Sequence, residues 1–187
     1  IVMLIVWAGS VVGVGRDLLS NVRDAQSLMA DPGGLGPDVA GALLVDVRAN
    51  VVRLDRRAGW VVPFAAPLRW MPVVGPYLAQ GPALLELADS LSELGVLLWR
   101  DFAPSLGLYE QGAAPADLLP GAAQALVVDQ LVKIQLADRA TAACGALDFM
   151  ALSDRFSRPV GQLCQLVPTL AAGLHAADAL PALLGLD

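Results

Sequence analysis

A leucine row with alternating steps of three and four positions most strongly limits what this chain can fold into. The row consists of Leu84, Leu87, Leu91, Leu94 and Leu98. Such a row is the seam of a heptad pattern, which packs one helix against another. No segment shows the sustained alternation of apolar and polar residues that is typical of half-buried strands. The spacing therefore predicts an all-α protein.

Two further segments repeat the helical spacing. The first apolar stripe comprises Leu43, Val47, Val51, Leu54 and Ala58, and the second comprises Val160, Leu163, Val167, Leu170 and Leu174. With the breaks set by proline and glycine, we expect helices over about 39–58, from Pro76 or Pro82 to about Phe102, over 122–156, and from Pro159 to about Leu180. Stretches 103–117 and 153–159 are predicted as connectors. The architecture predicted is a bundle of about four long helices.

The composition narrows the class of protein. Hydrophobic residues make up 56% of the chain and charged residues 16%, against about 45–50% and 25% in a typical soluble domain. Such a chain spans a membrane, buries much helix surface, or docks on partners. The net charge is −6, and Lys133 is the only lysine. Because nucleic-acid binding needs a concentrated basic face, we do not expect that function.

The first fifteen residues, IVMLIVWAGSVVGVG, carry no charge. A membrane-spanning helix needs about 20 apolar residues, and residues upstream of Ile1 would supply the rest. We therefore predict that residues 1–15 contact the lipid bilayer and that 1–30 form an anchor helix with a juxtamembrane extension. The bundle, 31–187, would lie on the extracytoplasmic side. A signal-peptide core and a buried core helix are the alternatives.

Small residues in this run favour close packing on another membrane helix, since they let two backbones approach. They include Ala8, Gly9 and Gly13.

The stretch LRWMPVVGPYLAQGP, Leu68–Pro82, interrupts the helical pattern with prolines, glycines and aromatic residues. Prolines oppose a continuing helix, while Gly75 permits a turn. Trp70 and Tyr77 would anchor the connector on the bundle. We interpret Trp70, Pro72, Gly75 and Tyr77 as a rigid structural corner, because no ionisable partner accompanies the aromatics.

Chemistry-bearing residues are few. His175 is the only histidine, and a catalytic triad would have to use it, with Asp178 one turn away. No nucleophile lies in a recognisable motif, so we expect a structural histidine, no enzyme activity, no metal site and no cofactor. Cys144 and Cys164 lie ten positions on either side of Asp154. In an antiparallel hairpin they would face each other, as a disulfide or as two buried thiols.

The residues Trp70, Pro72 and Gly75, with LPALLG at Leu180–Gly185, resemble an uncharacterised bacterial family catalogued as domain of unknown function 4012. The resemblance implies a single-pass, membrane-anchored envelope protein whose second domain follows this region. It implies no activity and no catalytic residues.

Together these features predict a non-enzymatic structural or interaction protein of the bacterial cell envelope, which docks on or scaffolds a larger membrane assembly, for example as an accessory subunit of a multiprotein complex. Its partners would be other membrane or envelope proteins. The alternative is a helical sensor or ligand-binding region whose active domain lies C-terminal to this chain. Convergent buried polar groups would favour that alternative.

Overall fold

The computed structural model describes residues 37–58, 75–112, 114, 127–152 and 154–178. Within these ranges lie four helices and no strand: α1 (Pro37–Ala58), α2 (Gly75–Glu110), α3 (Gln130–Ala146) and α4 (Asp154–Asp178), with a short 3₁₀ helix at Phe149–Ala151 before α4. The all-α prediction is confirmed for this part of the chain. The proposed anchor at 1–30, its packing residues Ala8, Gly9 and Gly13, and the corner residues Trp70 and Pro72 lie outside the described residues.

Among the helices of the described ranges, none combines the length and the apolar content that a bilayer span requires.

The chain forms two compact units, Ile1–Leu85 and Glu86–Asp187. In the first unit, α1 carries Asp38 in its first turn and Arg56 and Arg57 in its last turn. These charges complement the helix dipole at both ends. Val51 on the predicted apolar stripe is buried, whereas Arg53 on the other face is exposed. The buried position of Val51 and the partial burial of Leu43, Val47 and Leu54 agree with the predicted stripe of α1.

Helix α2 is longer than the sequence predicts, because it begins at Gly75 and ends at Glu110 rather than near Phe102. Pro76 lies in its first turn, where the missing N–H costs no helical hydrogen bond. Pro104 lies inside the helix with its ring exposed, so solvent can satisfy the carbonyl that loses its partner. The helix ends where the Gln111 amide donates to the Gly107 carbonyl at 3.3 Å and Gly112 takes a φ of 90°. Glycine is favoured at such a left-handed C-terminal position.

The connection between α3 and α4 also differs from the prediction. It lies between Ala146 and Asp154 rather than at 153–159, and Pro159 is inside α4. The Asp148 side chain accepts a hydrogen bond from the Met150 amide at 3.0 Å, which stabilises the start of the 3₁₀ helix. A 3₁₀ helix capped by this aspartate therefore lies where the apolar pattern alone suggests a continuing α-helix.

The core of the second unit joins α2, α3 and α4. Its buried members are Leu94, Ile134, Leu136, Ala137, Ala171 and Leu174, and Leu97 and Leu98 pack against them. Leu87 and Leu94 of the heptad seam are buried. The seam on α2 therefore faces the core, as the spacing predicted.

Helix α4 buries a different stripe from the one that its leucines suggest. Val167 and Leu174 are buried, as predicted, but the residue between them in the core is Ala171. Leu163 and Leu170 are exposed, with 47% and 39% of their surface accessible. On α3 the small residues Ala137 and Ala140 are likewise fully buried. Small side chains at the contact allow the two backbones to approach closely, and the leucines therefore lie to one side.

We expect Leu94→Ala to lower the free energy of unfolding by about 2–5 kcal/mol, because it removes a buried side chain and leaves a cavity. Chemical denaturation monitored by circular dichroism measures this loss. Leu106→Ala on the same helix is the matched control, since Leu106 is 41% exposed and its truncation should cost less than about 0.5 kcal/mol. Equal losses in the two variants would contradict the core described above.

Candidate functional site: the disulfide-linked hairpin of α3 and α4

A disulfide between Cys144 and Cys164 joins α3 to α4, with their Cα atoms 5.5 Å apart. Cys144 follows Ala137 and Ala140 along the buried stripe of α3, and Cys164 precedes Val167 and Ala171 on α4. The bond therefore continues the row of small residues along which the two helices meet. A covalent link here holds the hairpin near its connecting turn.

At the other end of the hairpin, polar side chains connect the two helices. The Gln130 side chain is buried, and its Nε2 donates to the Leu174 carbonyl at 3.3 Å. The His175 Nε2 lies 3.2 Å from Asp138 Oδ1, and both side chains are about half exposed. The described partner of His175 is thus Asp138 on α3, while the side chain of Asp178 lies outside the described residues. This pair links two helices, which is a structural role.

A buried lysine links α2 to α3. The Lys133 side chain is completely buried, and its Nζ lies 2.7 Å from Asp101 Oδ2. The other oxygen of Asp101 accepts from Arg100 Nε at 2.9 Å, and Arg100 Nη2 reaches Asp129 Oδ2 at 2.7 Å. The four residues form a charge network at the start of α3. A buried ammonium without a counter-ion would be very unfavourable, so Asp101 allows Lys133 to lie in the interior.

The network also shifts the pKa of two of its members, Asp101 and Arg100. Burial alone would raise the pKa of Asp101, but hydrogen bonds from Arg100 and Lys133, together with their positive charge, outweigh burial and lower it. Hydrogen bonds to Asp101 and Asp129 raise the pKa of Arg100. Asp129 itself has a φ of 52°, a left-handed conformation that aspartate tolerates better than most residues. At the junction of α2 and α3, the network therefore favours the charged forms of Asp101 and Arg100.

An open groove lies beside the disulfide, with a volume of about 730 Å³. Helix α3 contributes Thr141 and Gly145 to its lining, α4 contributes Gly161 and Pro168, and the 3₁₀ helix contributes Phe149 and Met150. The Thr141 hydroxyl donates to the Ala137 carbonyl at 2.8 Å, so its polar hydrogen is already used. Ser157, Arg158 and Gln165 also line the groove, but apolar atoms form most of its exposed surface.

A second feature of α4 is an exposed leucine face, by which we mean Leu163, Leu166 and Leu170. Their exposed fractions are 47%, 65% and 39%, and their spacing places them in one stripe along the helix. No ionisable side chain other than the disulfide-bonded Cys164 occurs between Pro159 and Leu174. A helix that exposes leucines and lacks charge over this length has the surface character of an interaction site.

The candidate residues predicted from the sequence lie in two different places in the structure. Cys144, Cys164 and His175 lie on the hairpin, while Gly75 and Tyr77 begin α2. Sequence reasoning did not identify the Lys133–Asp101 pair. A signal was available, because Lys133 lies in one stripe with Ala137, Ala140 and Cys144, all of them buried. A lysine on an apolar stripe indicates a buried ion pair, although its partner cannot be read from the spacing.

Within the described residues, no group of three or more histidine, cysteine, aspartate or glutamate side chains converges as a metal site. Comparison with protein-family models, curated proteins and solved structures yields no match to this chain.

The ion pair predicts a non-additive pair of substitutions. Asp101→Ala leaves the Lys133 ammonium buried without its counter-ion and should cost about 3 kcal/mol of stability. Adding Lys133→Met to that variant removes the buried charge and should recover most of the loss. Denaturation of both single variants and of the double variant measures the coupling, and additive effects would show that the pair is not buried together.

The same ion pair predicts that the free energy of unfolding depends on pH in the acidic range. Because the pKa of Asp101 is lower in the folded protein than its ordinary value of 3.8, the carboxylate stabilises the fold above that value. The stabilisation is lost as the pH falls below 3.8 and through the folded-state pKa, where the folded protein must also take up the proton. Asp101→Asn should flatten the stability profile in this acidic range, and a profile parallel to that of the wild type would contradict the assignment.

The disulfide closes a loop with a sequence separation of 20 residues. Removing such a crosslink by Cys144→Ala with Cys164→Ala should cost about 3 kcal/mol, chiefly because the unfolded chain gains freedom. Thermal unfolding with and without a reductant measures the effect. The wild type should lose stability on reduction, whereas the double variant should not respond. Mass spectrometry after alkylation supplies the control, since only reduced protein should gain two alkyl groups.

Proposed function

We propose that this protein is a non-enzymatic interaction protein of the bacterial cell envelope, a single-pass anchored helical bundle that docks on a larger membrane assembly through α4. The observation that carries the proposal is the uncharged leucine face, Leu163, Leu166 and Leu170, on a helix held by a disulfide. A rigid apolar face is a suitable docking surface, because little conformational freedom is lost when a partner covers it.

Several sequence features support the envelope location. The uncharged run at residues 1–15 has the character of a membrane segment. A disulfide persists in oxidising compartments such as the extracytoplasmic side. The resemblance to the family of unknown function 4012 agrees with both features. In this proposal Ala8, Gly9 and Gly13 pack on a membrane helix of the partner.

An accessory subunit is the form of this function that we favour. The described residues include interhelical ion pairs at Lys133 and His175 and a disulfide between α3 and α4, all of which suit a structural role. Leu166 is 65% exposed, and covering it with a partner would remove a large apolar side chain from water. The partner expected is therefore an envelope protein that presents an apolar helix.

The size of the native complex in mild detergent tests the proposal. The wild-type protein should migrate well above its monomer mass, and Leu166→Gln with Leu170→Gln should shift it to the monomer position. Val45→Gln is the matched control, since Val45 is a 58% exposed apolar residue on α1, and it should leave the complex intact. A wild-type protein that is itself a lone monomer would contradict the assembly role.

Localisation needs a separate measurement. An impermeant thiol reagent applied to intact cells after mild reduction should label Cys144 and Cys164 if the bundle lies outside the membrane. Labelling only after cell lysis would place the bundle on the other side and contradict the proposed orientation.

A further inference from the structure

The groove beside the disulfide has the features of a ligand site that is distinct from the leucine face. Its lining residues include Phe149, Met150 and Pro168, which are apolar, and none of the three leucines. Its volume of about 730 Å³ falls within the range of about 300–1,000 Å³ that is usual for small-molecule pockets. The groove is therefore large enough for a small ligand.

One side chain supplies charge to this groove. Among the residues that the structure describes, Arg158 is the only charged one in the groove lining, and it forms no ion pair with the side chain of any of them. It is an exposed cation in a chain with a net charge of −6. A guanidinium forms its strongest hydrogen bonds with carboxylates and other oxyanions. The charge of the groove is therefore complementary to an acidic group.

The placement of this arginine suggests the shape of the ligand. Arg158 and Pro168 both line the groove, and ten residue steps along an α-helix span about 15 Å. Between them the glycine at 161 leaves space, because a Cβ built there would meet only Phe149 Cε1, at 4.0 Å. Met150, which is 97% exposed, provides a flexible apolar side chain at the rim. An extended apolar chain would fit along this path.

We propose that this groove binds a single-chain fatty acid, with the carboxylate at Arg158 and the alkyl chain along Gly161 towards Pro168. The apolar walls bury the chain, and the arginine selects the acid over an uncharged amphiphile of the same length. This site does not depend on the docking role of the leucine face. It gives the hairpin a second surface, whose two walls the Cys144–Cys164 bond holds together.

Photoaffinity labelling of the full chain in membranes tests the site. The probe is a straight-chain fatty acid with a diazirine at its alkyl end, and its head-group control is the alcohol of the same length. Tandem mass spectrometry then locates the label. We expect the acid to label the groove-lining residues, laurate to compete for the label, and the alcohol to label about tenfold less, since one charge-assisted hydrogen bond is lost.

Two variants with matched controls locate the determinants. Arg158→Gln should remove the preference for the acid, while Arg139→Gln, at an exposed arginine outside the groove, should retain it. Gly161→Leu should fill the groove and abolish labelling by both probes. Gly173→Leu makes the same change on α4 outside the groove lining, where a Cβ meets nothing within 4 Å, and should label like the wild type. Both leucine substitutions raise helix propensity, so folding should be preserved.

The possible outcomes separate this site from the docking surface. Label on Leu163, Leu166 or Leu170, with the groove unlabelled, would overturn the proposal and show that the probe binds to the exposed leucine face. Equal labelling of the groove by acid and alcohol would overturn the role of Arg158. Leu166→Gln should leave groove labelling unchanged even if it dissociates the native complex. The experiments therefore distinguish a failure of the docking proposal from a failure of the fatty-acid proposal.

Discussion

The close contact between α3 and α4 is the interaction on which the second unit depends. Ala137 and Ala140 on one helix and Ala171 on the other are buried at this contact, and the Cys144–Cys164 bond continues it with Cα atoms 5.5 Å apart. Helices that meet through small residues bring their backbones together and gain dispersion contacts along their length. Leu163 and Leu170 of α4 are consequently exposed, whereas Val167 and Leu174 are buried. The exposed leucine face and the groove beside the disulfide both follow from this geometry.

The charge network has a different role, because it specifies where α2 meets α3. An ion pair in the interior contributes little net stability compared with a well-packed apolar pair. Its contribution is to penalise other registers, since any shift of α2 along α3 would leave the buried Lys133 ammonium without Asp101. We regard this pair as the element that selects one arrangement of the two helices.

Much of the fold could be predicted from periodicity. The spacing of Leu87 and Leu94 identified the buried face of α2, and the position of Val51 did the same for α1. Helix ends were predicted less well, because Pro104 and Pro159 lie inside helices although proline usually opposes them. At Pro104 the exposed position makes the lost hydrogen bond tolerable. Between α3 and α4, Asp148 caps the 3₁₀ helix at Phe149–Ala151, where the sequence predicted a continuing α-helix.

The sequence by itself determined the helical class, the apolar stripes of α1 and α2, and the two cysteines that a hairpin would bring together. These properties depend on the spacing of residues along the chain, which the sequence shows directly. Only the tertiary structure decided which side of α4 is buried, that Asp101 is the partner of Lys133, and that Arg158 lies at an apolar groove. Leucines and alanines both satisfy a helical apolar pattern, and only the distance between two packed helices selects between them. Partners that are distant in sequence become neighbours through that same packing, so no local pattern specifies them.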